Sequence, residues 1–484
     1  MRKRNKLQRF ARYLILLTIT ALLFASTFIT PVQTSNFNLL QSVRAAPDGP
    51  IPVFLPQVNK VFPVKTIFGI EMNNISKEQG LDLMAEAGAD WIRHNALVWS
   101  EVETTEGSYN WSVLADLERQ LINAQQNDIE VILVVRGTPS WAQKYPGVSC
   151  GPIRREKFIA FGKFLSEAVK RFSVPPYNVT YWQIWNEPDV DRNYVDPDNP
   201  FGCWAEYEDA YYGGGYYGDM LAEVYPWIKQ ANPQAQVLVG GLLLACNMAF
   251  PDACRFHGMN FLEGILRRGG ANDGRYYFDG VAFHTYDDYF GALGHYGNWA
   301  WHSTYYSPGP VVISKARFIR DVLARYNAAD KYLMNTETAL RSCITPPDAT
   351  FEETKAYYVA ELFASSIAVE MRSTVWYAVK VGWCQVNLLN PDLSPKPAYH
   401  AYHYARQTLR DAKYIGDISE YNGVRGYRFN RGDRQVWILW SFLDSPQWVA
   451  LPGTPKEAYD VYGNFVSIAN NQLSIGAKPI YLLW

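Results

Sequence analysis

Eight short apolar runs, separated by longer segments with helical spacing, constrain this chain more than any other feature. The runs are Thr66–Glu71, Asp90–Asn95, Glu130–Arg136, Val179–Glu187, Ala235–Gly241, Asp279–Tyr286, Tyr332–Glu337 and Ser373–Val379. Between them, segments such as Arg155–Phe172 and Ile313–Tyr326 repeat their apolar residues every three or four positions, as a helix with one buried face requires. Near-continuous apolar strands are strands covered on both faces. Their eightfold alternation with helices predicts an α/β chain folded as a (β/α)8 TIM barrel. A doubly wound sheet would alternate too, but no GxGxxG or phosphate-binding loop follows any run, and Tyr211–Gly218, rich in glycine, has neither spacing.

The texture changes near residue 410. From Ile415 onward, short alternating strands separated by turn residues predict a small antiparallel β-sandwich over 411–484, after a catalytic barrel over 61–410. At the other end, "MRKRNKLQRFAR" is strongly basic and is followed by an uncharged apolar run, Tyr13–Thr30. That order marks residues 1–46 as an export signal or a retained membrane anchor, with a linker over 47–60. The body of the chain is therefore expected outside the cytoplasm, secreted or anchored on the outer face of the cytoplasmic membrane. With 45 basic and 47 acidic side chains the net charge is −2, too balanced for a nucleic-acid partner.

A barrel of this kind builds its site at the C-terminal ends of the strands, so the reactive residues at those ends carry the function. The fourth run ends in Asn186-Glu187-Pro188, where proline forbids further ladder bonding, and the seventh ends at Glu337. Strands four and seven lie across the ring from each other, so their tips can aim two carboxylates into one cavity. Cleavage of a glycosidic bond needs such a pair, one protonated to help the leaving oxygen depart and one ionised to attack the anomeric carbon. No HExxH, GxSxG or Walker motif competes. The acidic loop Asp189–Pro200 lacks the glycine and closing glutamate of an EF-hand loop and reads as a solvated turn, so neither metal nor organic cofactor is expected.

Trp185-Asn186-Glu187-Pro188-Asp189 together with Thr336-Glu337 resembles the signature of the clan A retaining glycoside hydrolases over residues 60–410, with glycoside hydrolase family 39 preferred and family 5 next. The resemblance implies that Glu187 is the acid/base, Glu337 the nucleophile and Asn186 the group that binds the sugar 2-hydroxyl. It further implies that Arg93 holds Glu337 ionised, that Tyr286 donates to it, and that His284 lines the sugar subsite. Trp141, Trp376 and Trp383 are candidates for a sugar platform, the last two competing for the floor; plain packing is the alternative reading for each.

The six cysteines fall on the same map. Pairing adjacent loops of the catalytic face gives Cys150–Cys203, Cys246–Cys254 and Cys343–Cys384, with free buried thiols as the alternative. The expected activity is retaining hydrolysis of an O-glycosidic bond in an oligo- or polysaccharide, with a carbohydrate as the partner. A non-catalytic sugar-binding barrel and a transglycosylase using the same glutamates are the alternatives. Sugar identity, endo or exo cutting and oligomeric state are not legible. The aromatic loop Asp287–Gly309 either closes one end of the cleft or offers stacking sites along a polymer.

Overall fold

The computed structural model describes residues 65–484, apart from residues 200, 246–258, 270–275, 302–304 and 345–347. Eight parallel strands close into a ring: β1 (Phe68–Glu71), β2 (Trp91–Val98), β3 (Glu130–Arg136), β4 (Tyr181–Asn186), β5 (Gln236–Leu242), β6 (Gly280–Tyr289), β7 (Tyr332–Arg341) and β8 (Met371–Trp376). Each pairs with its chain neighbour, and β8 returns to β1 to close the ring. This is the predicted TIM barrel. Strands β2, β6 and β7 run several residues beyond the apolar runs that announce them, because their polar tips continue in extended conformation up to the mouth.

Side-chain alternation sorts each strand into an inner and an outer set. Trp91, Ile132, Tyr181, Leu238, Ala282, Met334 and Val375, one from each of β2 to β8, form the inner packing cluster. β1 contributes Gly69 instead: a Cβ there would sit 3.0 Å from both the Trp91 Cβ and a Val375 methyl, so glycine is what lets the tryptophan enter the ring. The outer set packs against the helices. Phe68 of β1, for example, stacks on Phe363 at 4.2 Å and meets the edge of Tyr402.

The C-terminal strands form a five-stranded antiparallel sheet in the order Lys413–Ile418, Val424–Arg431, Arg434–Ser441, Ile480–Leu483, Glu457–Asp460, with a separate pair Gln447–Ala450 and Gln472–Ile475. The sheet and the barrel belong to one compact unit. Alternation decides what each face does. Trp437 and Leu439 turn into the small core of the β domain with Val449, Leu473 and Ile475, whereas Val436, Ile438 and Trp440 join the large core of the barrel. The helix Phe351–Ala368 lies between the two and is buried without interruption from Thr354 to Ser366. That explains why its apolar residues are not confined to one face, as those of a one-sided surface helix are.

Disulfides Cys150–Cys203 and Cys343–Cys384 tie the loops after β3 and β4 and those after β7 and β8. Both fit an oxidising compartment. The expected Cys246–Cys254 bridge, the apolar run Tyr13–Thr30 and the linker lie outside the described residues. Among the described residues, no helix is long and apolar enough to cross a membrane.

The bridge between Cys150 and Cys203 spans 53 positions. By chain entropy, closing a loop of that length stabilises the fold by up to about 4 kcal/mol. Replacing both cysteines by alanine is expected to lower the urea midpoint and to steepen the slope, since the unfolded chain without the bridge exposes more surface, as measured by circular dichroism.

Candidate active site

Regular alternation alone would turn Trp185 inward and leave Asn186 and Glu337 facing out. In β4, Tyr181 and Gln183 face in, so Trp185 should follow; instead Trp185 takes φ 77° and Glu187 φ 46°, both left-handed. The break sends the Trp185 ring outward against Phe161 and Trp204 and frees Asn186 and Glu187 to enter the mouth. Two bulky residues in that region are costly locally, and such strain concentrates at functional positions. The Glu187 amide donates to the Gly241 carbonyl and fixes the turn.

β7 reaches the same end by another route. Its register against β6 jumps from Phe283↔Asn335 to His284↔Glu337, leaving Thr336 as an extra residue. This bulge reverses the parity, so that Met334 points in below and Glu337 points in above. β6 needs no correction: Ala282, His284 and Tyr286 are successive inward positions.

At the centre lies Arg93 of β2, fully buried. Its guanidinium donates to Glu71 of β1 at 2.6 Å, to Glu337 at 2.5 Å, to the Asn186 amide oxygen at 2.7 Å and to Gln183 at 3.2 Å. A guanidinium only donates, so Asn186 must turn its oxygen toward Arg93 and its amide nitrogen away. The Tyr286 hydroxyl donates to the other oxygen of Glu337. His284 places Nδ1 2.8 Å from Glu187 and 3.4 Å from Glu337. One oxygen of each glutamate and a His284 ring nitrogen all lie within 4.8 Å of one another.

His284 is held from behind. Buried Lys315 donates to its carbonyl at 2.7 Å. A Cβ on Gly241 would come within 2.1 Å of its Nε2, so only glycine leaves room for the ring. Burial, then the charges of Arg93 and Lys315, push the imidazole well below its usual range and keep it neutral. Burial, then Glu337 and Asp189, push Glu187 well above the usual carboxylate range. Burial and the same two glutamates hold the Tyr286 phenol protonated. One arginine faces two carboxylates, so the second keeps a proton: Glu71, desolvated and opposed by Glu337 against the pull of Arg93, is pushed up to about 8.

The trio Glu187, His284 and Glu337 has ligand atoms close enough for a cation. Both oxygens of Glu337 are nevertheless engaged by donors, one of them a fixed positive charge, so the cluster is organised around a guanidinium rather than a metal.

Arg93, Asn186, Glu187, His284, Tyr286 and Glu337 thus converge. His284, expected to line a sugar subsite, is instead fully buried and touches the two glutamates. The tryptophans separate. Trp376 follows inward Val375 and is therefore outward and fully buried, donating to the Val386 carbonyl, with no face for a sugar. Trp141 donates to the Glu103 carbonyl and packs its edge on Trp99, in the layer outside the ring. Trp383 is 39% exposed and meets Tyr286 edge-on at 5.4 Å, beside the cluster. The turn after Pro188 is solvated over most of its length, including Asp196 and Asp198, but not at its start. Asp189 is buried and accepts from the amides of Leu243 and Leu244, and Asp191 caps its own turn through the Asn193 amide.

Three residues were missed. Glu71 ends the first apolar run, and the strand-tip filter applied there finds it. Gln183 is inward by parity with Tyr181. Tyr377 is the inward residue after Val375 and touches Tyr286 and Trp383 edge-on.

Against known proteins, the glycoside hydrolase 42 family model, described as beta-galactosidase, matches residues 71–158. No curated protein matches in sequence. Among solved structures, a family 39 glycoside hydrolase from Bacteroides cellulosilyticus WH2 superposes with a TM-score of 0.64 at 19% identity, covering 86% of this chain and 80% of that one. The family 30 subfamily 8 xylanase of Clostridium acetobutylicum does so with 0.57 at 13%, covering 86% and 95%. A conserved exported protein from Bacteroides fragilis gives 0.59 at 11%, covering 88% and 99%. The fold and the family model point to one class, the glycoside hydrolases built on a (β/α)8 barrel with a C-terminal β domain. The resemblance read from the sequence holds at that level; the matching family model is 42, whereas the sequence favoured 39 and then 5.

Glu71 makes the cluster sensitive to pH in a defined direction. Its carboxyl titrates near 4.5 when exposed and at about 8 in the fold, so between those values the folded state holds a proton that the unfolded chain has lost. Its contribution to stability is complete below about 4.5 and is lost as pH rises to about 8. Melting temperatures across that window should fall less steeply for Glu71→Gln than for the wild type; equal slopes would contradict the assignment.

Proposed function

We propose that the chain is a retaining O-glycoside hydrolase in which Glu187 is the acid/base and Glu337 the nucleophile. The observation that carries the reading is that one oxygen of each carboxylate lies within 4.8 Å of the other at the mouth of the ring. Retaining enzymes hold their pair about 5–5.5 Å apart, close enough for direct attack, while inverting enzymes leave about 6.5–9.5 Å for a water.

The environments then separate the roles. Glu337 accepts from Arg93 and Tyr286 and can attack the anomeric carbon as a carboxylate, forming a glycosyl-enzyme ester. Glu187 has no comparable cationic donor, and its raised pKa keeps a proton available for the departing glycosidic oxygen. Deprotonated by that step, it takes a proton from the water that hydrolyses the ester and returns to its starting state. Neutral His284 touches Glu187 without adding a charge that would acidify it. Asn186, its nitrogen turned away from Arg93, is placed to donate to the sugar 2-hydroxyl. Half-buried Tyr377 and partly exposed Trp383 supply the aromatic wall that Trp376 does not. Two disulfides on the catalytic face accord with an exported enzyme whose substrate is an oligo- or polysaccharide.

Glu337→Ala should lower turnover of an aryl glycoside by at least about 10³-fold, with partial recovery in azide and formation of the glycosyl azide of inverted configuration, since azide then makes the single displacement from the face Glu337 has vacated. Wild-type rates after that change would remove Glu337 as nucleophile. Glu187→Gln should cost about 10²–10⁴-fold on substrates with poor leaving groups and far less on activated aryl glycosides. In the wild type, the alkaline limb of the rate profile should follow Glu187, activity declining as pH rises through its raised pKa; the limb should vanish in the glutamine variant with activated substrates.

A further inference from the structure

The loop after β6 carries a feature that the catalytic pair does not use. Tyr296–Gly297 folds back to pair with the end of β6, and the Asn298 amide donates to the Tyr286 carbonyl at 2.7 Å. These contacts place Trp299 beside the tyrosine that bonds the nucleophile. Trp299 is 56% exposed, and Phe290 lies against it at 4.9 Å. A cavity of about 180 Å³ runs between them and the cluster, lined by Tyr286, Asp288, Asn298, Trp299, Trp301 and Arg341. That volume is on the scale of one sugar ring.

The polar lining suits a carbohydrate. Arg341 donates to Asp288 at 2.6 Å and 3.3 Å, yet both remain about one-third or more exposed, so the pair offers donors and acceptors whose charges already cancel. Such a site has no preference for an ionic ligand and can exchange hydrogen bonds with neutral hydroxyls. The exposed indole of Trp299 lines the same cavity and presents a flat apolar face to the C–H side of a pyranose.

The loop is also held in place. The His295 ring lies 3.0 Å from Asp444 of the β domain. Arg425 of the same domain donates to the Ser307 hydroxyl at 2.8 Å and to the Pro308 carbonyl at 2.6 Å. The platform is therefore gripped on both limbs of the loop.

We propose that Trp299, which lines one cavity with Tyr286 and the Asp288–Arg341 pair, forms a second sugar subsite beside the glutamate cluster, so that the enzyme binds a chain of sugars rather than one terminal unit. The loop is a stacking surface and not a wall. This rests on the glycoside-binding reading of the cluster, and the test separates the two. In full-length Glu337→Gln protein, calorimetry is run with xylo-, galacto- and gluco-oligosaccharides of one to six β-linked units. Affinity should rise with length for at least one series; adding Trp299→Ala should remove about tenfold of that gain, Trp299→Phe should keep most of it, and Trp448→Ala, on the far more exposed Trp448, should keep all of it. No gain with length in any series, or a gain that survives Trp299→Ala, overturns the subsite. Wild-type cleavage of the same sugars is followed in parallel. Cleavage with an indifferent Trp299 defeats the subsite alone, whereas length-dependent binding lost in Trp299→Ala without any cleavage defeats the hydrolase reading and upholds the subsite.

Discussion

A single guanidinium organises the mouth of this barrel. Arg93 reaches from β2 to side chains of β1, β4 and β7, so strands on opposite sides of the ring are joined through one planar group. Removing it would leave the Glu337 carboxylate buried without its cation and Glu71 and Asn186 without their donor, at a cost of about 3–5 kcal/mol by the behaviour of other broken buried ion pairs. Burial would disfavour the arginine too, but Glu71 and Glu337 outweigh that and lift its pKa further. The charge is therefore permanent over any pH at which the protein folds.

From that charge follows the division of labour around it. Glu337 lies against the arginine and the tyrosine; Glu187 lies against neutral histidine, near Asp189 and away from a direct cationic partner. Two identical side chains are given different hydrogen-bond partners by position alone. The histidine stays neutral first because the ring is sealed from water and then because Arg93 and Lys315 repel a second proton. Glycine at 241 is what makes the seal fit.

How much of this could be read from the sequence follows from which rules the site obeys. The ring of strands was legible because parallel barrel strands are apolar on both faces and end in reactive tips. Arg93, Glu187, Tyr286 and Glu337 stood out on that basis. The parity within a strand was not legible, since the left-handed turn at Trp185 and the extra residue Thr336 shift which side chains face the cavity without altering composition. Composition alone left Trp376 and Trp383 competing for the floor; the parity of β8 turns Trp376 outward and Tyr377 inward. The burial of Asp189 was equally hidden, because its partners are backbone amides more than fifty residues away.

The grip of the β domain on the β6 loop bears on how such proteins are assembled from parts. A sheet that merely follows a barrel can be exchanged for another by cutting in the connector. Here one face of the sheet completes the core around the helix Phe351–Ala368, while Arg425 and Asp444 reach the rim. A chimera that grafts a foreign module at residue 411 would inherit an uncovered apolar helix and an untethered loop. Recombination of this enzyme with its relatives is viable only where the graft brings the matching face along.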